Sequence, residues 1–130
     1  MNVKKLIVLV ATLALVLAAC GGGDGGDGGT AAPPAPGAGD PAAGVDVYKA
    51  TCSACHGGDL AGVDGLGKPL APSDFVASQS ESDLAAFVTT GRSVDDPANT
   101  TGVAMPPRGG NPALSDQDLL NVAAYLKAQN

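Results

Sequence analysis

The chain has 130 residues, with 19 Gly, 10 Pro, no Trp and a formal net charge of −6. That length suffices for one small domain plus extensions, and the acidic balance excludes nucleic-acid binding by phosphate neutralisation. Gly and Pro crowd the part before Val45, so only residues 42–130 can build a packed core. A core that small usually needs help from a metal, a disulfide or a prosthetic group.

Lys4 and Lys5 precede an apolar run from Leu6 to Ala19, and Cys20 follows it. A basic start and a short apolar stretch describe a secretory signal over residues 1–19. The alternative, an uncleaved spanning anchor, is disfavoured because the run falls short of the roughly 20 residues a membrane-crossing helix needs. The junction Leu17-Ala18-Ala19-Cys20 resembles the lipobox of bacterial lipoproteins. That resemblance implies cleavage before Cys20 and lipidation of its thiol, and two or more acyl chains hold a protein stably on a membrane. Loss of Lys4 and Lys5 with the leader takes the net charge from −6 to −8. Residues 20–40 then read as a tether, Gly-rich first and Pro/Ala-rich after, which cannot bury enough apolar area to order itself.

Residues 41–130 form the expected domain. Asp40 before Pro41 is a helix N-cap followed by Pro at the first helical position. Val45, Tyr48, Cys52 and Cys55 then recur at helical spacing. Cys52-Ser53-Ala54-Cys55-His56 is a C-x-x-C-H sequence, the attachment signature of a c-type haem. Two thiols three positions apart on a helical turn face the same way and meet two vinyl groups of one porphyrin, with His56 falling under the iron as proximal ligand. A structural zinc site needs four protein ligands, whereas His56 is the only histidine and Cys20 the only further cysteine. A thioredoxin-like site expects a preceding strand, and no alternating apolar pattern precedes Cys52. A plain disulfide stays open in an oxidising compartment, but it leaves the centre of the domain unfilled.

With Gly44 and Tyr48 before the motif, Tyr125-Leu126 near the end and Met105-Pro106-Pro107 between, the chain resembles class I cytochromes c over roughly residues 44–127. The resemblance implies an all-α fold, three main helices around one covalent haem c. In it an N-terminal helix crosses a C-terminal one at a Gly/aromatic contact. It also implies Met105 as the second iron ligand; once the leader is gone, Met105 is the only Met left, and it lies in a Pro/Gly-rich loop rather than a periodic core segment. Pro69-Leu70 stands where the family has a Pro whose neighbourhood accepts the Nδ1–H of the proximal imidazole, a bond that sets its tautomer and basicity. Arg92 and Arg108 are candidates to neutralise the haem propionates, or are simply solvated.

Downstream, Ser80-x-x-Asp83 resembles a capping box ahead of Leu84, Phe87 and Val88, with Gly91 as a stop. Ser115-x-x-Asp118 repeats the signal for a last helix carrying Leu119, Val122, Ala123 and Leu126 on one stripe. The connections 57–79 and 92–114 are long for so small a domain and become walls of a haem crevice. Asn99-Thr100-Thr101 fits a glycosylation sequon but reads as loop sequence behind a bacterial-type leader.

The expected function is single-electron transfer, not enzymatic turnover: the sequence offers no further acid, base or second haem motif. Acidic groups around the site are expected to hold a moderately positive potential somewhat down. The family resemblance implies redox protein partners, a quinol-oxidising complex and a terminal oxidase, reached from a lipid anchor on the outer face of the cytoplasmic membrane or in the periplasm. A haem-based ligand sensor and an electron-transfer subunit of a larger complex are the alternatives.

Overall fold

The computed structural model describes residues 37–130; the leader 1–19, the lipidation site Cys20 and the tether up to residue 36 lie outside the described residues. Helix α1 spans Pro41–Val47, and Asp40 caps it by accepting a hydrogen bond from the Ala42 N–H. The backbone then widens into a π-helical turn over Tyr48–Cys52, where the Ser53 N–H reaches back to the Tyr48 carbonyl. It closes as α2, Ser53–His56, which Gly57 ends with φ 77°. The inserted residue of a π-turn re-aims the side chains that follow it, and such turns recur at functional sites. Here it ends at Cys52 itself and leads directly into the turn that carries Cys55 and His56.

A short helix α3, Asp74–Ser78, interrupts the long connection 57–79 and starts at Ser73, whose hydroxyl accepts from the Val76 N–H. Its carbonyl end is held by Lys127, whose Nζ donates to Val76 O at 3.3 Å and Ala77 O at 2.6 Å. Helix α4, Glu81–Thr90, begins at Ser80 and stops at Gly91, as expected. Only half of its capping box forms: Asp83 N donates to Ser80 Oγ, but the Asp83 carboxylate accepts from the Ser80 hydroxyl rather than its backbone. Helix α5, Asp116–Ala128, has the full reciprocal box between Ser115 and Asp118. The Ser115 hydrogen bonds hold the Asp118 carboxyl below its ordinary range. The described residues contain no strand, only the isolated antiparallel bridges Val63–Gly67 and Arg92–Met105.

Tyr48, Val76, Leu119 and Val122 are the largest fully buried side chains. Around them α1 crosses α5 so closely that a Cβ on Gly44 would stand 2.1 Å from the Asn121 carbonyl oxygen and 2.8 Å from Tyr125 Cβ. Just beyond, the Tyr48 and Tyr125 rings meet at 5.5 Å between centroids, the favourable tilted range for aromatic pairs. This is the Gly/aromatic crossing expected from Gly44, Tyr48 and Tyr125. One boundary changes. The expected tether runs through residue 40, yet Gly39 is buried, donates to Glu81 Oε2 at 3.3 Å, and has no room for a Cβ beside Leu120 O. Asp40 N donates to Asn121 Oδ1 at 2.9 Å, and Ala38 O accepts from Gln117. The packed domain therefore begins two or three residues earlier than composition suggests, because contacts made across the helix crossing offset the entropy of ordering Ala and Gly.

Candidate functional site

The core is hollow. Leu84, Val88, Val122 and Leu126 belong to the hydrophobic cluster and also line a cavity of about 400 Å³. The cavity is open to solvent along one side, so without a bound group water would wet these apolar side chains and forfeit their burial at ~25 cal/mol per Å². The fold is shaped to close around a group of that size.

The attachment, ligand and Pro69-Leu70 residues expected from sequence all lie on the wall of this one cavity: Cys52, Cys55, His56, Pro69, Leu70 and Met105. Cys52 and Cys55 are unbridged. Burial, and secondarily the neighbouring Cys55, pushes the Cys52 thiol up to about 11, so it stands there as a neutral thiol at physiological pH. The chemistry of the set suits a haem: two thiols on one turn, an imidazole directly after them, a thioether from the opposite loop, and apolar surface between.

His56 is oriented by a backbone carbonyl. Its Nδ1 lies 2.8 Å from Lys68 O, and since a carbonyl only accepts, Nδ1 carries the proton and Nε2 keeps its lone pair. The neighbourhood of Pro69-Leu70 is as expected, but the acceptor is the residue before Pro69. Gly67 makes this approach feasible, since a Cβ there would stand 2.1 Å from Cys55 O and 3.3 Å from His56 Nδ1. The loop is closed by paired bonds between Val63 and Gly67, 2.9 and 3.0 Å. Tyr48, its hydroxyl donating to Gly57 O, fastens the end of α2; burial first, then the Cys52 charge, pushes its phenol up to about 12.

Met105 is held on the far wall by two backbone bonds to Arg92, Arg92 N to Met105 O at 2.8 Å and Met105 N to Arg92 O at 2.9 Å. Gly91 permits the contact, with φ 73° and a would-be Cβ 2.3 Å from Met105 O. The loop between them is knotted by Asn99, whose amide donates to Ser93 O and Val103 O at 2.9 Å each while its Oδ1 accepts from Gly102 N at 3.0 Å. The Asn of the sequon is thus committed to shaping the cavity wall. Asn99, Gly67 and Lys68 were not singled out as site residues; the Gly before Lys68-Pro69 was the one available signal.

The two candidate arginines part company. Arg92 lines the cavity, its guanidinium 4.8 Å from the Phe87 ring centroid and 5.3 Å from that of Phe75. Its Nε is 3.3 Å from Asp96 Oδ2 but misaligned, so that buried atom makes no hydrogen bond. Arg108 is not among the residues lining the cavity and pairs with Asp116 Oδ1 at 2.6 Å. The cavity wall itself carries Lys68 and Arg92 and no carboxylate, with Asp96 beside Arg92 just outside it.

Residues 39–126 match the family model described as cytochrome C oxidase, cbb3-type, subunit III. The chain is 32% identical over 91 residues to cytochrome c-555 of Chlorobaculum thiosulfatiphilum, covering 70% of this chain and 98% of that one. It is 35% identical over 97 residues to cytochrome c6 of Picosynechococcus sp., covering 71% and 75%. It is also 34% identical over 87 residues to the cytochrome c subunit of alcohol dehydrogenase (quinone) of Gluconobacter oxydans, covering 65% of this chain and 18% of that larger subunit. No solved structure matches it significantly.

Proposed function

This chain belongs to the cytochrome c family, whose members carry covalent haem c, and we propose that it is a membrane-tethered one-electron carrier of a bacterial respiratory or photosynthetic chain. The observation behind this reading is the convergence of Cys52, Cys55, His56 and Met105 on one apolar cavity. Cys52 and Cys55 would attach the haem, and His56 and Met105 would ligate its iron. Haem iron, when bound, supplies reversible one-electron chemistry with a potential raised by a His/Met ligand pair.

The chain's own residues do the rest. Lys68 O fixes the His56 tautomer, and the Arg92 bridge fixes the Met105 backbone. Apolar side chains on both walls exclude water, so little has to reorganise when charge changes. The leader 1–19 exports the protein, Cys20 carries the lipid, and the tether lets the domain search above the membrane at raised effective concentration. A quinol-oxidising complex as donor and a terminal oxidase as acceptor suit a carrier held on the outer face of the cytoplasmic membrane or in the periplasm.

The full chain, produced in a host that matures c-type cytochromes, is expected to sediment with membranes, show one covalent haem, and titrate as a one-electron couple. In the ferric state it should carry a near-red thioether-to-iron band, which Met105→Ala abolishes. Cys20→Ser should release it to the soluble fraction. A colourless folded protein defeats the haem reading, and one that stays membrane-bound with Ser at position 20 defeats the anchor. A second reading, a fixed subunit of a larger oxidoreductase, draws on the family model's description and the alcohol dehydrogenase relative. Co-purification with a stoichiometric partner in mild detergent would favour it over the free carrier.

A further inference from the structure

We propose that Arg108 is a positioning residue that holds Met105 against the cavity, an inference that rests on Met105 being the iron ligand. Met105 is followed by two prolines and then Arg108. Proline fixes φ, so Met105-Pro106-Pro107 behaves as a short stiff strut whose two ends set the position of the thioether. The first end is the paired backbone bridge to Arg92. The second end is Arg108, whose Nη1 donates to Leu114 O at 2.7 Å and whose Nη2 donates to Asp116 Oδ1 at 2.6 Å. Leu114 lies just before the Ser115 N-cap and Asp116 is the first residue of α5, so the guanidinium fork ties the strut to the entry of that helix.

Two features separate this clamp from an ordinary surface ion pair. Arg108 adopts φ 54°, ψ 29°, a left-handed conformation that residues other than Gly, Asn and Asp rarely occupy. Gly109 and Gly110, also at positive φ, stand beside it, so a further glycine would meet the backbone demand with less strain; the arginine side chain is what the position gains. The turn is also wedged. Gly109 N bonds to Pro106 O at 3.1 Å, and a Cβ on Gly109 would lie 2.9 Å from Thr51 Cγ2, next to Cys52. The ligand loop is thereby gripped between the haem-attachment turn and α5, and Arg108 supplies the donors of that grip with Asp116 as its charged partner.

The test uses the haem-loaded full chain and imidazole as a competing ligand for the ferric iron. Imidazole must displace the thioether, so a loosened strut appears as tighter apparent binding. Arg108→Gln is expected to tighten imidazole binding roughly tenfold, equivalent to about 1.4 kcal/mol, and to weaken the near-red band. Arg108→Gly, which relieves the backbone strain while deleting the fork, should behave alike. In a Met105→Ala background neither change should alter imidazole affinity further, because the quantity being positioned is gone. The clamp is refuted if both Arg108 variants keep wild-type affinity and band. It is equally refuted if their effect persists in the Met105→Ala background, which would mean general loosening of the fold. If Met105→Ala itself leaves the band intact, the ligand assignment has failed and the clamp falls with it.

Discussion

Gly67→Ala perturbs the proximal side of the site with a single methyl group. The added Cβ would stand 2.1 Å from Cys55 O, where ordinary contact begins near 3.4 Å, so the 62–69 loop must retreat by more than an ångström. The Lys68 carbonyl sits one residue on and accepts from His56 Nδ1 at 2.8 Å; the same retreat takes it beyond hydrogen-bond reach. A neutral hydrogen bond of this kind contributes about 1 kcal/mol net. An accepted Nδ1–H bond makes the imidazole more basic and favours the more positive iron state. Only the part of that ~1 kcal/mol specific to the more positive iron state moves the potential, so the expected rise is at most about 40 mV, from 59 mV per tenfold change. The assay is a spectroelectrochemical titration of haem-loaded Gly67→Ala beside Gly58→Ala, whose Cβ would meet nothing within 4 Å. A potential for Gly67→Ala equal to or below that of Gly58→Ala refutes the reasoning.

Gly44→Ala drives a methyl into Asn121 O at the helix crossing; overpacking of that kind costs about 1–3 kcal/mol, so the melting temperature should fall by about 4–8 °C per kcal/mol. Tyr48 has a folded pKa of about 12 against an ordinary 10.0, so the stability it contributes is complete below pH 10 and lost as pH rises through about 12. Urea midpoints for Tyr48→Phe should therefore be lower than wild type at neutral pH, where the bond to Gly57 O is lost, and should decline less between pH 10 and 12. Ser115→Ala removes the full capping box of α5 and should cost about 1 kcal/mol at neutral pH. Because Ser115 lowers the Asp118 pKa from 3.8, part of that cost should vanish as acid protonates the carboxyl, and denaturation curves at pH 7 and pH 3 measure the difference.

Much of the site was legible because its information is local. C-x-x-C-H places two thiols and an imidazole by helical spacing alone, whatever the rest of the chain does. The caps at Asp40, Ser80 and Ser115 likewise read correctly, since each acts on N–H groups two or three residues away. Less legible was anything that depends on the path of a loop. The acceptor for His56 is Lys68 rather than Pro69-Leu70, because Gly67 lets the loop come that close.

The helical period, the caps, the C-x-x-C-H motif and the resemblance to class I cytochromes c were enough to expect an all-α haem domain, since motif and helical period are properties of residue type and order. Tertiary structure alone decided that Arg92 lines the cavity over the edge-to-face pair of Phe75 and Phe87 while Arg108 pairs with Asp116. It alone brought Gly39 into the fold and inserted a π-turn ahead of Cys52. The physical reason is common to all of these. A side chain's partner across tens of residues is selected by which backbones can approach within van der Waals contact, and that is settled only when the helices have crossed and the loops have closed.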